Sequence, residues 1–205
     1  EIDNMVCDCC QTSLTVSDNI PIVVYRDRTK NEIRDISVSR FINSSWTNSY
    51  SLNDDNWKIN GCPVNGPYID SKGKNVAVAW FSAADGNPQV GVKFSNNQGK
   101  SFGEKILIND LNTIPLGRVD LDFIDQRLVV VSWLSTNKGV GSINLRKIDM
   151  NGNMGEIVSL SNVSSSRATG FPQLERLKNH IFLSWTDEMN GIKKIKTFKL
   201  PISSL

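Results

Sequence analysis

The chain has 205 residues, a formal net charge of +2, 39% hydrophobic residues and 21% charged ones. That composition is that of a folded globular chain and excludes a disordered or fibrous one. The near-balanced charge, with no basic cluster to track phosphates, gives no reason to expect a nucleic-acid partner, and no apolar stretch reaches the roughly 18 residues of a transmembrane segment.

In chain order, Met5-Val6-Cys7 reads as a buried strand directly after Glu1, which does not look like a natural start. The expectation is a fragment of a longer protein, or a chain whose leader has been removed. Four apolar runs then match one another: Ile22-Val23-Val24-Tyr25-Arg26 and residues 76–80, 129–133 and 181–185. Their aromatic residues Tyr25, Trp80, Trp133 and Trp185 are spaced by 55, 53 and 52 residues. Each run is continuous rather than alternating, as a strand covered on both faces requires. Several strands per unit and a period near 50 residues predict blades of a β-propeller.

The second unit divides into strands at residues 67–71, 75–81, 89–95 and 105–109, separated by Asp85-Gly86-Asn87-Pro88 and Asn97-Gln98-Gly99, both strong turn signals. No segment carries helical periodicity. A second repeated element shares the period. Ser95-Asn96-Asn97-Gln98-Gly99-Lys100-Ser101-Phe102 resembles the Asp box, Ser-x-Asp-x-Gly-x-x-Trp, with Asn97 in the Asp place. Ser39 to Trp46 is a degenerate copy with Asn43 where Gly would stand, since Asn tolerates the left-handed conformation. Lys147-Ile148-Asp149-Met150-Asn151-Gly152 is a weaker third.

The predicted fold is all-β, a propeller of four-stranded antiparallel blades at approximately 5–56, 62–111, 117–162 and 168–205, forming one domain. The fourth unit ends soon after its third strand, at 192–199, and four blades are few for a ring. Missing N-terminal blades or a second chain are therefore expected to complete it.

In a propeller the first strand of each blade lines the central channel, so the residues just before or within those strands are the candidates for chemistry. They are Cys7-Asp8-Cys9-Cys10-Gln11, Gly61-Cys62-Pro63-Val64-Asn65-Gly66-Pro67, Gly117-Arg118-Val119-Asp120 and Arg167-Ala168-Thr169-Gly170-Phe171-Pro172. All four cysteines fall in this set. Cys7 and Cys9, two apart on a strand, are expected on one face and Cys10 on the other. The cysteines have three readings: disulfides tying adjacent first strands, a thiolate site for copper or zinc made of Cys7, Cys9, Cys10 and Cys62, or inert thiols. Arg118 and Arg167 invite an anion, because guanidinium forks bind carboxylates; Asp120, Asn65 and Gln11 complete the candidate ligand-binding set. Arg26, Arg28 and Arg34 surround Asp27 and Asp35 and read as an ion-pair network. The single His180 reads as a turn or edge residue and gives no basis for a Ser-His-Asp triad.

The order Cys-Asp-Cys-Cys-Gln, Tyr-Arg-Asp-Arg, Glu-Ile-Arg-Asp-Ile, Gly-Cys-Pro-Val-Asn-Gly-Pro, Val-Ala-Trp, Asp box, Gly-Arg-Val-Asp and Gly-Phe-Pro resembles the bacterial sialidase-like (BNR, or Asp-box repeat) propeller family, often described as exo-α-sialidase. The resemblance covers about residues 7–185. It implies a six-bladed ring and an exported protein, periplasmic or extracellular, with a lipoprotein leader as one form of export. For activity it implies glycoside hydrolysis or binding of a sialylated or acidic glycan or small anionic ligand. The family's Arg-Ile-Pro motif is absent, no Tyr-Glu pair is matched, and no catalytic residue is assigned. A metal-binding or redox-stapled protein and a non-catalytic interaction module are the alternatives.

Overall fold

A computed structural model describes all residues, Glu1–Leu205. The chain forms four antiparallel sheets in succession. The first contains β1 (Ser13–Ser17), β2 (Ile20–Arg26) and β3 (Ile36–Ile42), with the two-residue β4 (Ser45–Trp46) and then β5 (Tyr50–Asn53) both pairing with β3. The second is β6 (Tyr68–Lys72), β7 (Asn75–Ser82), β8 (Gln89–Ser95) and β9 (Ile106–Leu107). The third is β10 (Ile114–Phe123), β11 (Leu128–Asn137), β12 (Val140–Asp149) and β13 (Val158–Val163). The fourth has three strands, β14 (Gln173–Leu177), β15 (His180–Met189) and β16 (Ile192–Pro201). No helix is long and apolar enough to cross a membrane.

The continuous apolar runs are the second strands, and the pleat sorts each run between two interfaces. Val76, Val78 and Trp80 of β7 pack with Ile22, Val24, Ile36 and Val38 of the first sheet. The alternating residues Ala77, Ala79 and Phe81 pack with Val119, Leu121, Val131 and Trp133 of the third. On β11, Val130 and Leu134 point the other way, toward Ile181, Leu183 and Trp185. Each core cluster is thus the glue between two successive sheets, and each fully buried aliphatic or aromatic side chain contributes about 1.5–3 kcal/mol. Sheets stacked face to face with their first strands inward are propeller blades. The inner strands pack β1 on β6, β6 on β10 and β10 on β14, and no packing of that extent joins β14 back to β1. Leu14 and Val16 are exposed on the first blade, Leu177, Phe182 and Ile195 on the last.

Several local expectations shift. Residues 5–7 form no strand: Val6 makes an isolated bridge to Asp27, and the chain turns as the Cys10 N–H donates to the Cys7 carbonyl at 3.3 Å. The outer strand of the second blade shrinks to Ile106–Leu107 because the Asn109 side chain accepts the Val90 N–H at 2.8 Å, replacing a ladder bond.

The Asp-box hairpin is held by side chains. Ser95 Oγ accepts the Gly99 N–H at 3.0 Å and Asn97 Oδ1 accepts the Ser101 N–H at 3.0 Å, while Asn97 Nδ2 donates to Ser101 Oγ at 2.9 Å. Phe102 packs against the core between the first two blades. In the degenerate copy Asn43 does take the left-handed conformation, at φ 50°. Asn97→Ala removes the hub of this hairpin; a loss of about 1–2 kcal/mol in unfolding free energy is expected in urea titration.

Candidate functional site

Every inner strand is the free edge of its sheet, so its outward backbone N–H groups lack ladder partners. Side chains from the preceding blade supply them. Ser13 Oγ accepts the Ile69 N–H at 3.2 Å, Asp70 Oδ2 the Phe123 N–H at 2.8 Å and Asp122 Oδ2 the Arg176 N–H at 2.8 Å. Nearer the channel mouth the same device recurs: Gln11 Oε1 accepts from Gly66 N–H at 3.0 Å and Asn65 Oδ1 from Arg118 N–H at 2.7 Å. Asp120 accepts two backbone bonds, from Leu121 and Leu174, both at 2.7 Å. Gln11, Asn65 and Asp120 therefore brace one blade on the next while standing at the channel. Gly117 makes the Asn65–Arg118 junction possible: it sits at φ +82°, and a Cβ there would fall 2.3 Å from Asn65 Oδ1.

The mouth is a cavity of about 380 Å³ lined by Cys9, Gln11, Val64, Tyr68, Val119 and Phe171 among others. A second hollow of about 280 Å³ shares Tyr68 and adds Glu175 and Phe182. Tyr68 is pushed up to about 12 by burial, then by the charges of Asp120, Asp70 and Glu175. Tyr68 and Glu175, unmatched in the sequence, thus share one wall. Burial also pushes Asp120 up to about 8 against the pull of its two backbone donors. Asp122 is pushed up to about 7 by burial and by Asp70 beside it. Of this acidic row only Asp120 is a candidate from the sequence; Asp70 and Asp122 were missed, although they stand 52 residues apart, in step with the repeat.

Arg118 lies on β10, 8% exposed, in the left-handed region at φ 55°. Its guanidinium carbon is 4.8 Å from the centre of the Phe171 ring. Its Nη1 is buried and has no partner. Arg167 stands close enough that its charge, after burial, lowers the pKa of Arg118. Arg167 Nη2 donates to the Cys62 carbonyl at 2.8 Å. Neither arginine forms an ion pair; the four salt bridges lie elsewhere, at Arg28–Glu32, Arg34–Glu32, Lys105–Asp55 and Lys196–Asp187. Of the expected network in the first blade, Arg28 and Arg34 share Glu32, whereas Arg26 is buried and bonds only to carbonyls.

The four cysteines converge beside the same cavity. Cys9 and Cys62 form a disulfide, with Cα atoms 6.1 Å apart, tying the approaches to β1 and β6. Cys7 and Cys10 are free, the first buried and the second partly so. Their sulfurs lie 3.0 Å apart, and Cys7 Sγ is 3.7 Å from Cys9 Sγ. The expected split, with Cys10 facing away from Cys7 and Cys9, fails because the segment is a turn, and all three sulfurs lie within 4.8 Å. In the disulfide form, thiolate coordination is left to Cys7 and Cys10 alone. His180 stands in the β14–β15 hairpin, paired with Leu177.

No family model matches the chain, and no curated protein matches it. Solved structures do. A protein of unknown function from Dyadobacter fermentans superposes with a TM-score of 0.62 at 15% identity, over 88% of this chain and 50% of its own. Xylan β-1,4-xylosidase from Bacillus halodurans gives 0.57 at 11% identity, over 96% of this chain and 41% of its own. The α-L-arabinofuranosidase of Podospora anserina, solved with cellotriose, gives 0.56 at 9%, over 95% and 64%. The chain spans half or less of the first two. At these identities the likeness shows the fold alone, a propeller shared with glycoside hydrolases.

Proposed function

We propose that the chain is a glycosidase-like propeller that binds a carboxylate-bearing glycan at its channel mouth, anchored by Arg118 and Arg167. One observation carries this reading: a buried guanidinium donor, Arg118 Nη1, is left unpartnered beside a second arginine, with no carboxylate paired to either. An unmatched buried donor costs about 1–3 kcal/mol, and a bidentate carboxylate would satisfy it. Phe171 and Tyr68 supply apolar ring surface in the cavity, the composition of a small-ligand site. Gln11, Asn65 and Asp120 shape the site through the inner-strand braces they make. An exported setting belongs to this reading and is supported by the Cys9–Cys62 disulfide. Ring completion by further blades or a second chain also belongs to it, supported by the exposed apolar side chains on the two end blades.

The test is calorimetric titration with 3′-sialyllactose, a glucuronic-acid oligosaccharide and neutral lactose. An acidic sugar is expected to bind and lactose to bind much more weakly. Arg118→Met is expected to weaken the acidic sugar about 10–100-fold, the worth of one charge-assisted bidentate contact. Absence of binding to both acidic sugars overturns the reading. Release of aryl aglycone from the matching glycoside, lost in Glu175→Gln with binding retained, would extend it to hydrolysis.

A further inference from the structure

Four sulfurs, two of them bonded, meet at one junction. Cys7 and Cys10 are held in one turn with their sulfurs 3.0 Å apart. Cys7 Sγ is also 3.7 Å from Cys9 Sγ, one half of the Cys9–Cys62 bond. Two arginines lie beside the sulfurs, the nearer one, Arg34, also paired with Glu32. Arg34 Nη1 donates to Cys7 Sγ at 3.3 Å, and Arg34 is 5% exposed with its Nε unpartnered. Arg26, whose bonds all go to neutral carbonyls, is the next charge; burial lowers its pKa, and the nearby Cys10 and Cys7 oppose that shift. The thiolate is the nucleophile of exchange. Burial, then its bond with Cys7, pushes Cys10 up to about 11, so it stays a thiol.

We propose that Cys7 and Cys10 are an exchange-active dithiol whose reactant is the Cys9–Cys62 disulfide, so that the chain interconverts two crosslinked forms. The Cys7 thiolate attacks Cys9 Sγ; the Cys7–Cys9 bond forms as the Cys9–Cys62 bond breaks, and Cys62 leaves as a thiolate. Cys62 takes the proton of Cys10. The Cys10 thiolate then attacks Cys7 Sγ, forming Cys7–Cys10 and releasing Cys9 as a thiolate. One disulfide and one thiolate are present before and after, so no outside oxidant or reductant is needed. The crosslink moves from the junction of two blades into a single turn. The Cys62 segment is freed, and with it the carbonyl that receives Arg167 Nη2 at 2.8 Å. The inference stands independently of any glycan.

The test is disulfide mapping of the whole chain, incubated anaerobically at pH 8 without added thiol, quenched in acid and alkylated. Cys62 lies on a different tryptic peptide from the other three cysteines, so crosslinked and alkylated Cys62 are read directly by mass spectrometry. Near-ultraviolet circular dichroism follows the fold throughout. A Cys62-alkylated fraction of at least about a tenth is expected, approached faster at pH 8 than at pH 6 as thiolate attack requires. It should fall at least about tenfold in Cys7→Ser, which lacks the attacking sulfur, whereas in Cys10→Ser exchange stops at the Cys7–Cys9 bond and frees Cys62 without any further product. Wild-type chain that stays native with Cys62 wholly crosslinked at both pH values, while Cys7 and Cys10 take the alkylating agent, overturns the proposal. So does protein that holds one equivalent of zinc or copper on Cys7 and Cys10 as purified.

Discussion

Arg26→Lys is expected to lower the unfolding free energy by about 3–5 kcal/mol, the cost of breaking a buried charged network by removing its geometry. Arg26 is 2% exposed and donates three short bonds: Nε to the Asn65 carbonyl at 2.6 Å, Nη1 to that of Arg34 at 2.5 Å and Nη2 to that of Phe81 at 2.6 Å. Its guanidinium carbon lies 4.9 Å from the centre of the Trp57 ring. Three carbonyls from two blades thus converge on one planar fork. Lysine has three donors as well, but they radiate from one nitrogen and cannot reproduce the spread of the fork or its stacking on Trp57. The substitution leaves carbonyls unsatisfied and an ammonium poorly solvated in the blade junction. The check is urea unfolding, with the midpoint falling and the slope unchanged. Arg28→Lys is the control, because its pair with Glu32 is 41% exposed on the arginine side and should change stability by less than about 1 kcal/mol. An Arg26→Lys chain within 1 kcal/mol of wild type would dismiss Arg26 as the junction's anchor.

Arg26 also marks the limit of what the residue order can reveal. Among Asp27, Arg28, Arg34 and Asp35 it reads as one more member of an ion-pair network, and only the packing of β2 against the second blade separates it. The blades themselves were legible because burial on both faces writes a continuous apolar run, and four such runs share one period with the Asp boxes. The turn at Cys7 was not, since its first residues are as apolar as a strand and the reversal depends on one backbone bond and the Cys9–Cys62 tie. The repeat equates the candidate residues at the starts of the inner strands, yet their partners depend on neighbouring blades. Gln11, Asn65 and Asp120 spend their acceptors on the backbone of the next inner strand, whereas Arg118 Nη1 has no acceptor. The repeat period can equate positions between blades; it carries no information on which side chain finds a partner across the junction.

The acidic row behind that mouth sets the response to pH. Asp120 and Asp122 keep their protons to about 8 and about 7 in the fold, from an ordinary value of 3.8. Between pH 4 and these values the native chain binds more protons than the unfolded one, so stability falls as pH rises. Their contribution is greatest below pH 4, declines through 7 and 8, and is level above. The limiting slope is about 1.4 kcal/mol per pH unit for each carboxyl. Glu32, Asp149 and Asp187, held below the usual carboxylate range, act only at the acid end. Asp120→Asn keeps one carbonyl acceptor for the Leu121 or Leu174 N–H but cannot ionise, so urea midpoints measured from pH 5 to 8.5 should lose much of their fall above pH 7. An unchanged slope would show that Asp120 ionises normally. The same titration bears on binding: below about pH 8 the Asp120 carboxyl is neutral and does not repel an anion held by Arg118, so affinity for an acidic sugar should decline as pH passes through 8, and less so in Asp120→Asn.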